Sequence, residues 1–294
     1  MSILTIQNLS KSYGKIQALN NLSLEINAGE VYGILGPNGS GKTTTLGIIL
    51  GILSADSGSY KWFDGQYGSS HRKRIGAILE TPNFYPYKTA EDNLKIISHI
   101  KGSKDHDYDS ILELVDLSHR KKSPFRTYSL GMKQRLAIAA TMIGEPDVII
   151  FDEPTNGLDP QGIAEVRQTL TQIAESGKTV IMASHILDEV EKICSHVAII
   201  KNGHLLATGS VGSILSDQVT LELQSENNES LRQFLDGIDW IKGPKLIGDK
   251  IEAQMDKEHS IAEVNKMAFD RGIVLTHLVA RKQRLEEEFL EITK

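Results

Sequence analysis

The rhythm of apolar and polar positions changes along the chain. Over 3–8 and 22–26 apolar residues alternate or cluster in short spans, with Gly14 and the Asn20-Asn21 pair as punctuation, which predicts strands. The short apolar run 31–35 leads directly into a glycine-rich segment, and a helix is predicted from Gly41 to about Leu50. Further strands are predicted over 59–63 and 74–79. From Pro82 to about Glu145 the pattern turns helical. Thr89-Ala90-Glu91-Asp92 has the form of a capping box before a periodic helix carrying Leu94, Ile97 and Ile100. Ile111, Leu112, Val115 and Leu117 mark a second helix. A third starts near Ser129 with Met132, Leu136, Ala139, Ala140 and Ile143 on one face.

After Pro146 strands return at 148–151, 179–183 and 197–201. They are short, β-rich and nearly wholly apolar, as suits a parallel sheet covered on both faces. Helices are predicted between them at about 161–175 and 187–193. Residues 1–213 therefore form, on this reading, an α/β domain with a helical insertion over about 82–145. The more polar remainder reads as a small α+β domain over 218–294, with a ferredoxin-like form as the expectation. Its order is strand 219–224, helix 231–238, one or two strands within 240–254, helix 261–271, strand 274–278 and a charged terminal helix.

A length of 294 residues agrees with about two domains. With 32 Lys and Arg against 38 Asp and Glu, the net charge is −6, which gives no reason to expect a nucleic-acid partner and argues against a strongly basic membrane-surface patch. The single cysteine, Cys194, allows no intramolecular disulfide, fits a reducing compartment and reads as a small core residue. The longest apolar runs, 46–53 and 148–151, fall far short of the ~18 residues a membrane span needs. MSILTIQNLSKSY lacks the charged head and apolar block of a signal peptide. The expectation is a cytosolic chain, for which any membrane role requires spans on another chain.

Two motifs carry chemistry. Gly36-Pro37-Asn38-Gly39-Ser40-Gly41-Lys42-Thr43-Thr44 matches the phosphate-loop pattern without deviation. Such a loop wraps phosphate with inward amides, and side chains in place of its glycines would block the approach. The following helix adds its positive end. Lys42 is placed to reach the β- and γ-phosphates and Thr43 to offer a hydroxyl to Mg²⁺. This loop alone does not choose among kinases, GTPases and ATPases. The apolar strand ending in Asp152-Glu153 narrows the field: Asp152 is placed to hold Mg²⁺ through water, and Glu153 to polarise an attacking water.

Together these residues resemble the nucleotide-binding subunit of ABC transporters, densely over 2 to about 213 and loosely at the terminal LEEEFLEIT. The resemblance implies a P-loop NTPase fold of the ABC ATPase type, a mixed sheet with an antiparallel β subdomain. It implies that Tyr13 of KSYG stacks on adenine. Tyr128-Ser129-Leu130-Gly131-Met132-Lys133-Gln134-Arg135 is similar to the family signature, usually LSGGQ, so Ser129, Gly131 and Met132 would contact ATP held by a second copy. Asn156-Gly157-Leu158-Asp159 matches the loop that crosses the dimer interface, and His185 of MASHIL the switch histidine that touches the γ-phosphate.

Leu130 replaces the signature's first glycine, where a side chain either crowds the partner's phosphate or points away. Glu80 stands where the family has a glutamine that ligates Mg²⁺ and couples to the membrane subunit; this variant resembles bacteriocin- and lantibiotic-immunity exporters and bacitracin-resistance ATPases. The implied protein hydrolyses ATP with Mg²⁺ as a head-to-tail dimer on the cytoplasmic face of the membrane. It powers a separate integral-membrane subunit, in export of drug, peptide or bacteriocin-like cargo. The alternatives are a soluble, non-transport ABC ATPase and the ATPase of an importer.

Overall fold

The computed structural model describes residues 1–79, 83–103, 106–214, 218–256 and 258–282, together with Leu285, Phe289 and Ile292. By its internal contacts the chain divides into two compact units, Met1–Val211 and Gly212–Ile292.

The first unit opens with two long strands, β1 (Ser2–Tyr13) and β2 (Ile16–Asn27), paired antiparallel from Tyr13↔Ile16 back to Ser2↔Asn27. Then come β3 (Val31–Leu35), α1 (Lys42–Ile49), β4 (Ser57–Trp62) and β5 (Ile75–Ile78). β4 pairs with β1 and completes a sheet of order β2-β1-β4. Leu4, Ile6, Leu22, Ile26 and Trp62 of this sheet share one core with Ile34, Leu46, Ile48 and Ile49 of β3 and α1. The Trp62 indole donates to Ile49 O at 2.8 Å, which satisfies a carbonyl of the last turn of α1.

Between β5 and the next strand lie α2 (Ala90–Lys101), α3 (Tyr108–Leu114) and α4 (Leu130–Thr141). Thr89 caps α2 in the reciprocal box its sequence suggests, Oγ1 accepting from Asp92 N at 3.1 Å. α3 is shorter than the apolar spacing predicts. Asp116 takes a left-handed φ of 51°, so Val115 and Leu117 are buried from a turn rather than from a helix.

The chain continues through β6 (Val148–Asp152), α5 (Pro160–Glu175), β7 (Thr179–Ser184), α6 (Leu187–Ile193), β8 (His196–Lys201) and β9 (His204–Ser210) to a single turn, α7 (Val211–Ile214). These strands complete a six-stranded sheet of order β5-β6-β7-β3-β8-β9. Pairing is parallel from β5 to β8, and β9 returns antiparallel on the edge. β3, β6 and β7 are buried at every position, which is why they read as unbroken apolar runs. Their registers, Leu35↔Ser184 and Asp152↔Ala183, bring the carboxyl ends of all three together at one sheet edge, where α/β folds bind ligands. Cys194 is buried beside β3 and burial pushes its thiol pKa up, which keeps it unreactive.

The second unit runs β10 (Gln218–Ser225), α8 (Asn228–Asp236), β11 (Ile241–Ile247), β12 (Lys250–Asp256), α9 (Ile261–Asp270) and β13 (Leu275–Lys282). The β-α-β-β-α-β order with sheet order β11-β12-β10-β13 is the ferredoxin-like arrangement. Leu221, Leu223, Leu231, Phe234, Ile251 and Val264 form its core. β13 extends past the predicted strand to Lys282. The charged terminal helix expected beyond it falls almost entirely outside the described residues.

Candidate nucleotide site

The segment after β3 folds as a tight cradle. A Cβ on Gly36 would sit 2.2 Å from Ile200 O and 2.4 Å from Ser40 Oγ, and Gly41 holds φ +109° with its Cβ position 2.5 Å from Ala18 O. No other residue type fits either place without moving backbone. Pro37, Asn38 and Gly39 form an exposed crest, whereas Ser40, Gly41 and Lys42 are its buried base. α1 starts with Gly41 as its N-cap and no side-chain cap, so the loop ends in a helix N-terminus open to an anion. Ser40 Oγ is buried and, among the described residues, makes no hydrogen bond.

Five side chains meet around the cradle, Lys42 and Thr43 from α1 and Asp152, Glu153 and His185 from the ends of β6 and β7. Lys42 Nζ donates to Gly36 O at 2.8 Å and Pro37 O at 3.3 Å, and lies 3.3 Å from Glu153 Oε1. Glu153 Oε2 is 2.8 Å from His185 Nδ1 and accepts from the His185 amide at 3.4 Å. Thr43 Oγ1 donates to Asp152 Oδ2 at 2.7 Å. The parallel β6–β7 pairing sets this geometry: the Glu153 amide donates to Ala183 O at 2.9 Å, directly before the turn that carries His185. Glu153 itself holds a left-handed φ of 49°, a conformation that costs of order 1 kcal/mol and turns its side chain out of the strand direction.

Thr43 and Asp152 offer oxygen donors of the kind Mg²⁺ prefers. Among the described residues no group of three or more His, Cys, Asp or Glu could hold a metal ion. A cation here therefore needs further oxygens from phosphate and water, which fits Mg²⁺ with a nucleotide. Glu80, the remaining predicted metal ligand, lies outside the described residues.

Tyr13, 46% exposed, ends β1 with Lys11 Nζ 5.7 Å from its ring centroid. Ile16, its cross-strand partner, is 70% exposed. Ile16 lies two residues before Ala18, whose carbonyl oxygen approaches Gly41. Tyr13 and Ile16 thus present an exposed apolar edge where β1 meets β2.

Ser129, Gly131, Met132 and Asp159 gather at a different place. Ser129 caps α4, Oγ accepting from Met132 N at 3.2 Å; Asp159 caps α5, Oδ1 accepting from Gly162 N at 3.0 Å. The two helix starts border a cleft of about 480 Å³ that Leu130 and Glu165 also line. Among the described residues a Cβ on Gly131 would meet only Gly162 Cα, at 3.7 Å, so none of them forbids a side chain there. Buried Arg135, whose role the sequence does not reveal, holds α4 in place by donating to Val115 O at 2.9 Å and pairing with Glu165 at 3.1 Å. Among the described residues no hydrogen bond or ion pair joins Ser129, Gly131, Met132 or Asp159 to the 36–44 loop.

Comparison with known proteins agrees with this geometry. The family profile described as ABC transporter matches residues 19–156. An uncharacterized ABC transporter ATP-binding protein of Bacillus subtilis, YdbJ, is 36% identical over 99% of this chain and 95% of its own. The bacitracin transport ATP-binding protein BcrA of Bacillus licheniformis is 35% identical over 99% and 97%. Among solved structures, a dimeric ATP-binding cassette in a post-hydrolysis state, bound to ADP and Pi, superposes with a TM-score of 0.63 at 26% identity, covering 71% of this chain and 99% of its own. The chain belongs to the ATP-binding proteins of ABC transporters. It is accordingly an ATPase of the P-loop α/β class that binds adenine nucleotide.

Proposed function

We propose that two copies of this chain meet head to tail, each ATP lying between the 36–44 loop of one copy and the Ser129–Gly131 segment of the other. The observation that carries this reading is the separation of two incomplete half-sites. Lys42, Glu153 and His185 form one chain of contacts at 3.3 and 2.8 Å. The start of α4, with unobstructed Gly131, stands apart from them. Phosphate replaces the Gly36 and Pro37 carbonyls as the partner of Lys42. Thr43 and Asp152 would hold Mg²⁺, which neutralises charge on the β- and γ-phosphates when bound. Glu153 accepts the proton of the attacking water, and His185 keeps its carboxylate aimed through Nδ1 and the backbone amide. Tyr13, with Ile16 beside it, stacks on the base. Tyr13→Ala is expected to raise KM for ATP about tenfold with little change in kcat, because stacking is shared by ground and transition states; steady-state kinetics measure it.

Hydrolysis in this dimer drives a separate membrane-spanning subunit from the cytoplasmic face, in export. Two facts support that assignment. Relatives over the full chain are named for bacitracin transport, and among the described residues no helix is long and apolar enough to cross a membrane. The cargo class is an antibiotic-like peptide. Purification of the tagged chain from detergent-solubilised membranes is expected to bring down one polytopic membrane protein at equal stoichiometry. Recovery of the chain only from the soluble fraction, with no such protein, contradicts the transport reading.

A further inference from the structure

The apolar face expected on α2 from Leu94, Ile97 and Ile100 does not close. Leu94 is buried and Ile97 half-buried, but Ile100 is 76% exposed. It lines a cavity of about 400 Å³ between the end of α2, the turn at Gly144 after α4 and the connection from β4 to β5. That connection carries four successive basic residues, His71-Arg72-Lys73-Arg74. Arg74 pairs with Asp147. Arg72 and Lys73 are exposed, line the cavity, and make no ion pair among the described residues. Lys101 adds a third cation. Its Nζ donates to Ile143 O at 2.8 Å, and burial holds its pKa below the usual lysine value. Among the described residues no acidic side chain lines the cavity. Gly102 and Gly144, at φ +64° and +87°, put bare backbone in its wall.

Three cations gathered without a carboxylate disfavour one another's charge, and a bound anion removes that cost. In a chain of net charge −6 such a pocket is a local exception, so its attraction for an anion is not a property of the whole surface. Ile100 on the same wall fits a ligand that is anionic at one end and apolar at the other. We infer that this pocket binds a phosphate-bearing anion, the headgroup of an anionic phospholipid, with Ile100 against the apolar part of the same molecule. The inference stands apart from the head-to-tail reading, because the pocket shares no residue with the 36–44 loop or with the cleft at Ser129.

The test is co-sedimentation of the full chain with vesicles of phosphatidylcholine alone or of phosphatidylcholine and phosphatidylglycerol in equal parts. The chain is expected to bind the phosphatidylglycerol vesicles and to leave the others in solution. Arg72→Gln with Lys73→Gln weakens that binding about thirtyfold, the effect of removing two cations from an anionic membrane surface. Both side chains are exposed, so the fold survives, and binding of a fluorescent ATP analogue stays within about twofold. Arg72→Lys with Lys73→Arg keeps the charges and keeps the vesicle binding. Lys245→Gln with Lys266→Gln removes the same charge from exposed positions of the second unit and leaves vesicle binding within about twofold. Equal weakening by the two glutamine pairs shows diffuse attraction and overturns the inference, as does equal binding of the unaltered chain to both kinds of vesicle. Release by inorganic phosphate matched in concentration to the lipid phosphate, at constant ionic strength, gives the pocket to a free anion and overturns the headgroup assignment.

Discussion

Glu153→Gln is expected to lower ATP turnover by at least ~10² while nucleotide binding persists. The substitution keeps the side chain's shape and leaves the backbone anchor, Glu153 N to Ala183 O at 2.9 Å, in place. An amide oxygen can still accept from His185, but an amide does not take a proton from water near neutral pH. The negative charge 3.3 Å from Lys42 also disappears. That removes a competitor for the lysine and a repulsion toward phosphate, so affinity for ATP stays level or rises. Hydrolysis assays with titration of a fluorescent ATP analogue separate the two effects. Near-wild-type turnover would remove Glu153 from its assigned role.

Ser129→Arg is expected to abolish turnover without weakening ATP binding by the dilute chain. Ser129 lies outside the 36–44 cradle and lines the cleft at the starts of α4 and α5. Arginine there fills the space that the proposed partner's phosphate enters. The fold survives the change. The lost bond to Met132 N costs about 1 kcal/mol, while Arg135 still ties α4 to Val115 O and Glu165. A melting temperature lowered by a few degrees, unchanged analogue binding and no hydrolysis is the predicted set. Substantial turnover in this variant would place Ser129 outside the catalytic assembly.

Local signals in the chain were readable because their physics is local. The cradle needs glycines at Gly36 and Gly41 for contacts that no side chain permits, and the strand before it and the helix after it have their own periodicities. The Thr89 box and the Ser129 cap lie within three residues of their partners. What escaped is partly local and partly set by distance in sequence. β9 is a short edge strand of alternating exposure, held by pairing with β8 rather than by an apolar run. The bulged register of β1 with β2 comes from wrapping around a shared core, which no pattern within either strand encodes. α3 ends early because Asp116 turns left-handed. At the site, His185 was readable as a functional residue only through family resemblance, which ties it to the γ-phosphate. Its Nδ1 contact with Glu153 depends on β6 and β7 being neighbours, 32 residues apart in sequence. The partners of Arg135, a buried cation at the end of the signature-like segment, and the exposure of Ile16 on its strand are set by packing and pairing that their neighbours in sequence do not encode.

The central claim is that each ATP site is built from two copies. The most direct measurement mixes two inactive variants, Lys42→Ala and Ser129→Arg, and follows ATP hydrolysis. A mixed dimer pairs the intact 36–44 loop of the Ser129→Arg copy with the intact α4 start of the Lys42→Ala copy, so one complete site forms. Mixing is predicted to restore activity to roughly a quarter of wild type, from half the dimers being mixed with one working site each, if the two sites act independently. A mixture as inactive as its components, although each variant retains its fold and the two are shown to associate, would contradict the composite site.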